Sequence, residues 1–208
     1  FFAYKYEEGE LLSQKIDYNS NLSHDYLKVI GFWENPNSLL IYENKFNDLF
    51  IDTTHYLPDY LIPNNYITMH IRRGDYVESR SQIQSLLSRY SSIQHLINSL
   101  TLIPSKYENF PLYVLTDDIK WTNSWIYLFS EKSKNEIRVL SNSSIIDWSI
   151  IRHAAINICA NSTFSYTAAL LNYSNKNNKL RCIIPQWHRI QESTYEKGWS
   201  SPLGFIEV

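Results

Sequence analysis

Glycine is scarce in this chain, with five residues in 208. No Gly-x-Gly-x-x-Gly fingerprint and no Walker-type loop occurs, so a phosphate group has no glycine-rich cradle to enter. Any anion must be met by cationic side chains or by the N–H groups at a helix start. Cysteine is rarer still: Cys159 and Cys182 are the two present, and no zinc-ligand spacing exists. Both sit in apolar runs, Ile156-Asn157-Ile158-Cys159 and Cys182-Ile183-Ile184. That favours buried free thiols, with a disulfide between neighbouring strands as the second reading. Gly-x-Ser-x-Gly and Cys/His signatures of nucleophilic catalysis are missing. No apolar stretch is long enough to span a bilayer, and no leader peptide is recognisable.

An excess of one charge is absent too. The chain carries 19 basic and 21 acidic residues, a formal net charge of −2. This excludes a general attraction to nucleic acid or to an anionic membrane, so any anion site is local. Hydrophobic residues make up 44%, which supports a packed core and argues against wholesale disorder. The 16 Tyr and 6 Trp suit carbohydrate sites, but mostly they serve cores. Asn-x-Ser/Thr triplets at Asn21, Asn142, Asn161 and Asn172 read as chance in an Asn- and Ser-rich chain.

The most telling stretch is His70-Ile71-Arg72-Arg73-Gly74-Asp75-Tyr76, which follows the apolar run Tyr66-Ile67-Thr68-Met69. Two adjacent arginines at the mouth of a buried strand are costly unless something anionic meets them. Arginine stays charged and offers a planar fork of donors that fits phosphate. Asp75 is placed to hold one guanidinium. His70 shares a strand face with Arg72 and either contacts a ligand or orients an arginine. The heptapeptide thus reads as a site for a phosphorylated or pyrophosphorylated ligand.

Residues 1–62 have weak periodicity, with a short strand or turn at 26–33, a helix at 42–50 and a turn or linker at 61–65. Beyond them the pattern alternates. Strands are predicted at 66–72, 111–116, 136–140, 155–159 and 180–185, and helices at 81–100, 119–130, 147–153 and 163–171. This predicts an α/β fold with a mostly parallel sheet and helices on both faces. Ligands of such sheets bind beyond the carboxyl ends of the strands. Three polar clusters fall at those ends: Arg72-Arg73-Gly74-Asp75, Asp117-Asp118 and Asn161-Ser162-Thr163.

Each cluster also has a plain structural role. Ser162 or Thr163 is placed to cap the helix after it, and the same helix start is a ready anion site. Asp147 is expected as a helix cap or as a carboxylate accepting hydrogen bonds from a base or ribose. Asp117-Asp118 reads as negative charge at a helix start, since adjacent acids alone make weak metal ligands.

Taken together, these segments resemble the α-1,2-fucosyltransferases of glycosyltransferase family 11. His70-Ile71-Arg72-Arg73-Gly74-Asp75 is similar to the family's His-x-Arg-Arg-x-Asp motif. Thr116-Asp117-Asp118-Ile119-Lys120-Trp121 is similar to its strand ending in Ser-Asp-Asp-Ile-x-Trp. Asp147-Trp148, His153, Ala160-Asn161-Ser162-Thr163-Phe164-Ser165 and Ile184-Pro185-Gln186-Trp187 follow in the family's order, and Gly31-Phe32-Trp33 is similar to a Gly-Tyr-Trp segment ahead of the first motif. The likeness runs from about residue 27 to about 190.

The resemblance implies a GT-B-like fold, with residues 63–208 as a Rossmann-like nucleotide-sugar-binding lobe and 1–62 as an incomplete N-terminal lobe. It implies transfer of L-fucose from GDP-fucose to a galactose-type hydroxyl in α-1,2 linkage, with inversion. The partners are the nucleotide-sugar donor and a glycan acceptor, with no nucleic acid. GDP-fucose is a co-substrate, and neither a bound cofactor nor a metal is expected. Peripheral membrane association is compatible with this chemistry, in the cytoplasm for a microbial member or the Golgi lumen for an animal one. Arg73, His70 and Asp75 are the implied catalytic group. Arg72, Arg73, Asp117, Asp147, Asn161, Ser162, Thr163 and Ser165 are the implied donor-binding set.

The chain departs from the pattern twice. Tyr166-Thr167 replaces a Trp pair, and the family's opening Gly-x-Leu-Gly-Asn-Gln segment has no counterpart. Truncation or a reduced first lobe accounts for the second departure. Transfer from another GDP-sugar, and a non-catalytic nucleotide- or glycan-binding module, stand as the competing readings.

Overall fold

The structure is a computed structural model that describes residues 2–7, 10–15, 53–74, 77, 93–172, 182–185 and 205–208. Strands β1 (Phe2–Glu7) and β2 (Glu10–Lys15) pair antiparallel in a sheet of their own, which the weak periodicity there did not predict. The main sheet holds β3 (Ile67–Ile71), β4 (Leu112–Thr116), β5 (Ile137–Leu140), β6 (Ile156–Ile158), β7 (Cys182–Ile184) and β8 (Phe205–Glu207). Four helices are described: α1 (Ile93–Thr101), α2 (Ile119–Lys132), α3 (Ser144–Arg152) and α4 (Thr163–Leu170). The expected segments at 26–33 and 42–50, the first part of the helix at 81–100, and Asp75 lie outside the described residues.

All pairings in the main sheet are parallel, in the order β5-β4-β3-β6-β7-β8. The chain thus steps outward from β3 to one edge, returns to lay β6 against the other side of β3, and steps outward again. This is the doubly wound Rossmann-like order, and the point of reversal lies between β3 and β6.

Both faces of the sheet are covered, and this is why its strands read as apolar runs. On one face Ile67, Met69 and Ile71 of β3 join Leu112, Val114, Ile156 and Ile158, with Leu96 and Leu100 of α1 and Phe129 of α2. On the other, Tyr66, Tyr113, Leu115 and Ile184 join Ile150 and Ile151 of α3 and Tyr166, Ala168 and Ala169 of α4. The strict alternation along β3 therefore sends His70 to the α3/α4 side.

Most predicted elements lie within a residue or two of their observed bounds. The helix expected at 147–153 begins earlier, because Ser143 takes the N-cap position and its carbonyl accepts the N–H groups of Ile146 and Asp147. Asp147 is thereby in the first turn rather than at the cap. Strand β8 was not predicted; its three residues carry no periodicity of their own and are ordered by pairing with β7. Residues 53–61 pack on α3: Ser149 Oγ donates to the Thr53 carbonyl at 2.6 Å, and Leu57 and Leu61 join its apolar cluster. The packed unit thus reaches back ahead of residue 63. Cys159 and Cys182 are buried free thiols, their sulfurs 3.3 Å apart on neighbouring strands.

Phe129 is wholly buried between α2 and the sheet. Phe129→Ala should lower the unfolding free energy by about 3–5 kcal/mol, read as a fall in the urea midpoint.

Candidate functional site

The register of β3 and β4 sets the site. Ile71 stands opposite Thr116, so the next residues out, Arg72 and Asp117, emerge side by side. Arg72 Nη1 donates to Asp117 Oδ2 at 2.6 Å, and the Arg73 backbone N–H donates to Asp117 Oδ1 at 2.8 Å. One carboxylate thus ties down the side chain of the first arginine and the main chain of the second. A Cβ at residue 74 would lie 2.8 Å from Asp117 Oδ2, so glycine there is what lets this carboxylate close on the arginine loop.

Arg73 is held separately. Its Nε donates to Asp118 Oδ2 at 3.2 Å, and its guanidinium carbon lies 4.0 Å from the centroid of the Trp121 ring. Asp118 is itself anchored as the N-cap of α2. Its Oδ1 accepts the Trp121 N–H at 3.0 Å, and its own N–H donates to Thr116 Oγ1. The Trp121 N–H and then Arg73 hold the Asp118 carboxyl below its usual range. Both ion pairs are partly exposed, which makes them small terms in stability. Their effect is to place two guanidinium groups.

On the other flank of β3, the loop that follows β6 carries Asn161 and Ser162, both buried, ahead of α4. Ser162 occupies the N-cap position with extended backbone, yet its hydroxyl makes no capping bond. The expectation of a side-chain cap from Ser162 is not met; the helix instead closes on the Ser162 carbonyl, which accepts the Tyr166 N–H at 3.1 Å. Ser165 is buried beneath this turn.

His70 links the two flanks. Its ring lies 5.5 Å from that of Phe164 in α4, it is 8% exposed, and its Nδ1 has no hydrogen-bond partner among the described residues. Burial pushes its pKa down to about 4, with Asp117 opposing and Arg72 adding to the shift. His70 is therefore neutral near pH 7 and adds no third positive charge behind the arginines.

Of the residues expected from sequence, Arg72, Arg73 and Asp117 come together by direct contact; His70 lies beside them on β3, and Asn161, Ser162, Thr163 and Ser165 follow the adjoining strand in the loop and helix start. Asp147 stands apart. Its Oδ1 accepts a bond from Asn142 Nδ2 at 2.8 Å, burial raises its pKa, and no described contact joins it to the arginines. Among the described residues Asp117 and Asp118 hold the arginines; Asp75, expected to hold one of them, lies outside the described residues. Asp118 and Trp121 were missed as parts of the grip. Their spacing as N-cap and third helical residue was the available signal, and its partner across the sheet was not visible. Among the described residues no group of three or more His, Cys, Asp or Glu is placed to hold a metal ion.

A doubly wound parallel sheet with arginines and a helix start at its point of reversal defines a Rossmann-like protein. Residues 40–201 match the profile of Glycosyl transferase family 11, and the chain belongs to that family. It is similar to an alpha-1,2-colitosyltransferase of Escherichia coli, at 29% identity over 174 residues that cover 80% of this chain. The chain spans 58% of the length of that curated relative. No solved structure matches it.

Because folded His70 titrates near 4 against 6.5 for the ordinary imidazole, the unfolded chain takes up the proton first as pH falls. Stability from this group is complete above about pH 6.5 and is lost between there and pH 4, amounting to about 2 kcal/mol by pH 5. His70→Gln should therefore lose about 2 kcal/mol less than wild type between pH 7.5 and pH 5 in urea titrations. Parallel pH profiles for the two proteins would contradict the burial argument.

Proposed function

We propose that this chain carries the donor-binding part of a glycosyltransferase that moves L-fucose from GDP-fucose to a galactose-type hydroxyl in α-1,2 linkage, inverting the anomeric centre without a metal. One observation carries the reading. In a chain of this family, two arginines pre-set by two carboxylates stand at the end of the strand where the sheet reverses, beside a helix start.

In the proposed reaction the acceptor oxygen bonds to C1 as the C1–O bond to the β-phosphate breaks. GDP leaves with the bonding pair, and negative charge grows on the β-phosphate. Arg73, with Arg72 beside it, meets that charge at no cost in reorganisation, because both are already held. Asn161, Ser162, Thr163 and Ser165, with the free N–H groups of α4, take the other side of the pyrophosphate. Two fixed guanidinium groups then do the work of a divalent cation. The hydroxyl proton leaves late, to solvent. His70, neutral and packed behind Phe164, supports the grip rather than accepting that proton. Asp75 and Asp147 keep only secondary roles, in orienting an arginine and in donor contact. No helix among the described residues is long and apolar enough to cross a membrane, which is compatible with peripheral association at a membrane-carried glycan.

The relative's name favours a second donor. Colitose is fucose without its 3-hydroxyl, so GDP-colitose would fit the same diphosphate grip.

Full-length protein should release GDP from GDP-fucose or GDP-colitose, and less from GDP-mannose, when given a galactoside and a chelator. Release from none of the three, by folded protein, would sink the transferase reading, and loss on chelation would return Asp117-Asp118 as metal ligands. Arg73→Ala should weaken GDP binding about 10- to 100-fold, the loss expected when a charged hydrogen-bond donor is removed. Its melting temperature should move by only a few degrees, since its ion pair is partly exposed. GDP affinity equal to wild type would refute the assignment.

A further inference from the structure

We infer that Trp121 is a positioning residue for Arg73: with Asp118 it fixes the plane and rotation of the guanidinium so that the Nη edge meets the phosphate charge. The inference deepens the transferase reading and rests on it for the identity of the leaving group.

The geometry is specific. The Arg73 guanidinium carbon lies 4.0 Å over the Trp121 ring, close enough for stacking and cation–π attraction. Asp118 Oδ2 takes Nε, the inner edge of the group. No other described residue bonds the Arg73 guanidinium, so its outer Nη edge is the part left for a ligand. The two supports are themselves one unit, because Asp118 Oδ1 accepts the Trp121 backbone N–H. Trp121 is backed in turn by Trp125, one helical turn on, with ring centroids 6.0 Å apart and both rings packed on the core.

An arginine on a loop would otherwise spread over many rotamers and reorder on binding. Here the ring removes rotation out of the plane and the carboxylate removes rotation within it. The same contact covers one face of the Trp121 ring, which argues against that face as a stacking platform for the ligand itself.

The test is a cycle of variants in the full chain, with GDP as the probe in calorimetry. Trp121→Leu should weaken GDP binding roughly tenfold, whereas Trp121→Phe, which keeps an aromatic face, should stay within about threefold of wild type. Added to Arg73→Ala, Trp121→Leu should cost nothing further. A Trp121 that merely packs would lower affinity by the same factor with and without Arg73, and that result overturns the inference, as does equal affinity in Trp121→Leu and wild type. Should Trp121→Leu fold poorly, Asp118→Asn keeps a capping oxygen and loses the negative charge that faces Arg73, and an unchanged GDP affinity there would also overturn it. Wild-type protein that binds neither GDP nor inorganic pyrophosphate overturns it outright. Coupling seen in the cycle without turnover of any GDP-sugar supports the clamp and counts against the transferase reading alone.

Discussion

Two guanidinium groups stand together at the end of a strand that is buried on both faces, and each is held by its own carboxylate. The carboxylates of Asp117 and Asp118 meet them from the next strand, one for each arginine. Much else follows from that pairing. It requires β3 and β4 to lie parallel and in the register that sets Ile71 opposite Thr116. It is favoured by glycine at 74, where a Cβ would lie 2.8 Å from Asp117 Oδ2 and make that carboxylate shift. It gives Asp118 two duties, capping α2 and holding Arg73. Burial keeps the His70 imidazole beside these charges neutral, while Asp117 and Arg72 act on it in opposite directions.

The sheet order turns this local pairing into a site. Because β3 is the strand from which the chain departs in both directions, its end is flanked by β4 on one side and β6 on the other. Residues that are separated by some ninety positions in sequence thus border one rim. The rim is asymmetric in chemistry: fixed cations on the β4 side, small buried polar residues and a helix start on the β6 side.

The scarcity of glycine gains a physical meaning here. Many nucleotide-binding sheets bring backbone N–H groups up to the pyrophosphate through a glycine-rich turn. This chain keeps one glycine at the equivalent turn and uses it to admit a carboxylate instead. On the proposed reading, side chains replace main chain as the anion grip, which demands that they be held before the ligand arrives. The stacked Trp121 and the capping Asp118 meet that demand from a single helix turn.

Local periodicity was enough to locate the strands from 67 to 184 and the helices between them, because burial on both faces leaves continuous apolar runs whatever their partners. The segment His70-Ile71-Arg72-Arg73-Gly74-Asp75 and the turn at Asn161 to Ser165 read as anion-binding chemistry through residue type alone. Other features depended on partners far away in the chain. Strand β8 is too short to show a period, Asp147 was drawn into the first turn of its helix by a cap at Ser143, and Asp118 looked like an ordinary helix cap because its arginine lies across the sheet. By itself the sequence determined the element pattern and pointed to an anionic ligand, since these rest on burial and on residue chemistry. Only the tertiary structure decided which acid holds which arginine and what fixes Arg73, because those contacts exist only once parallel pairing sets β3 beside β4.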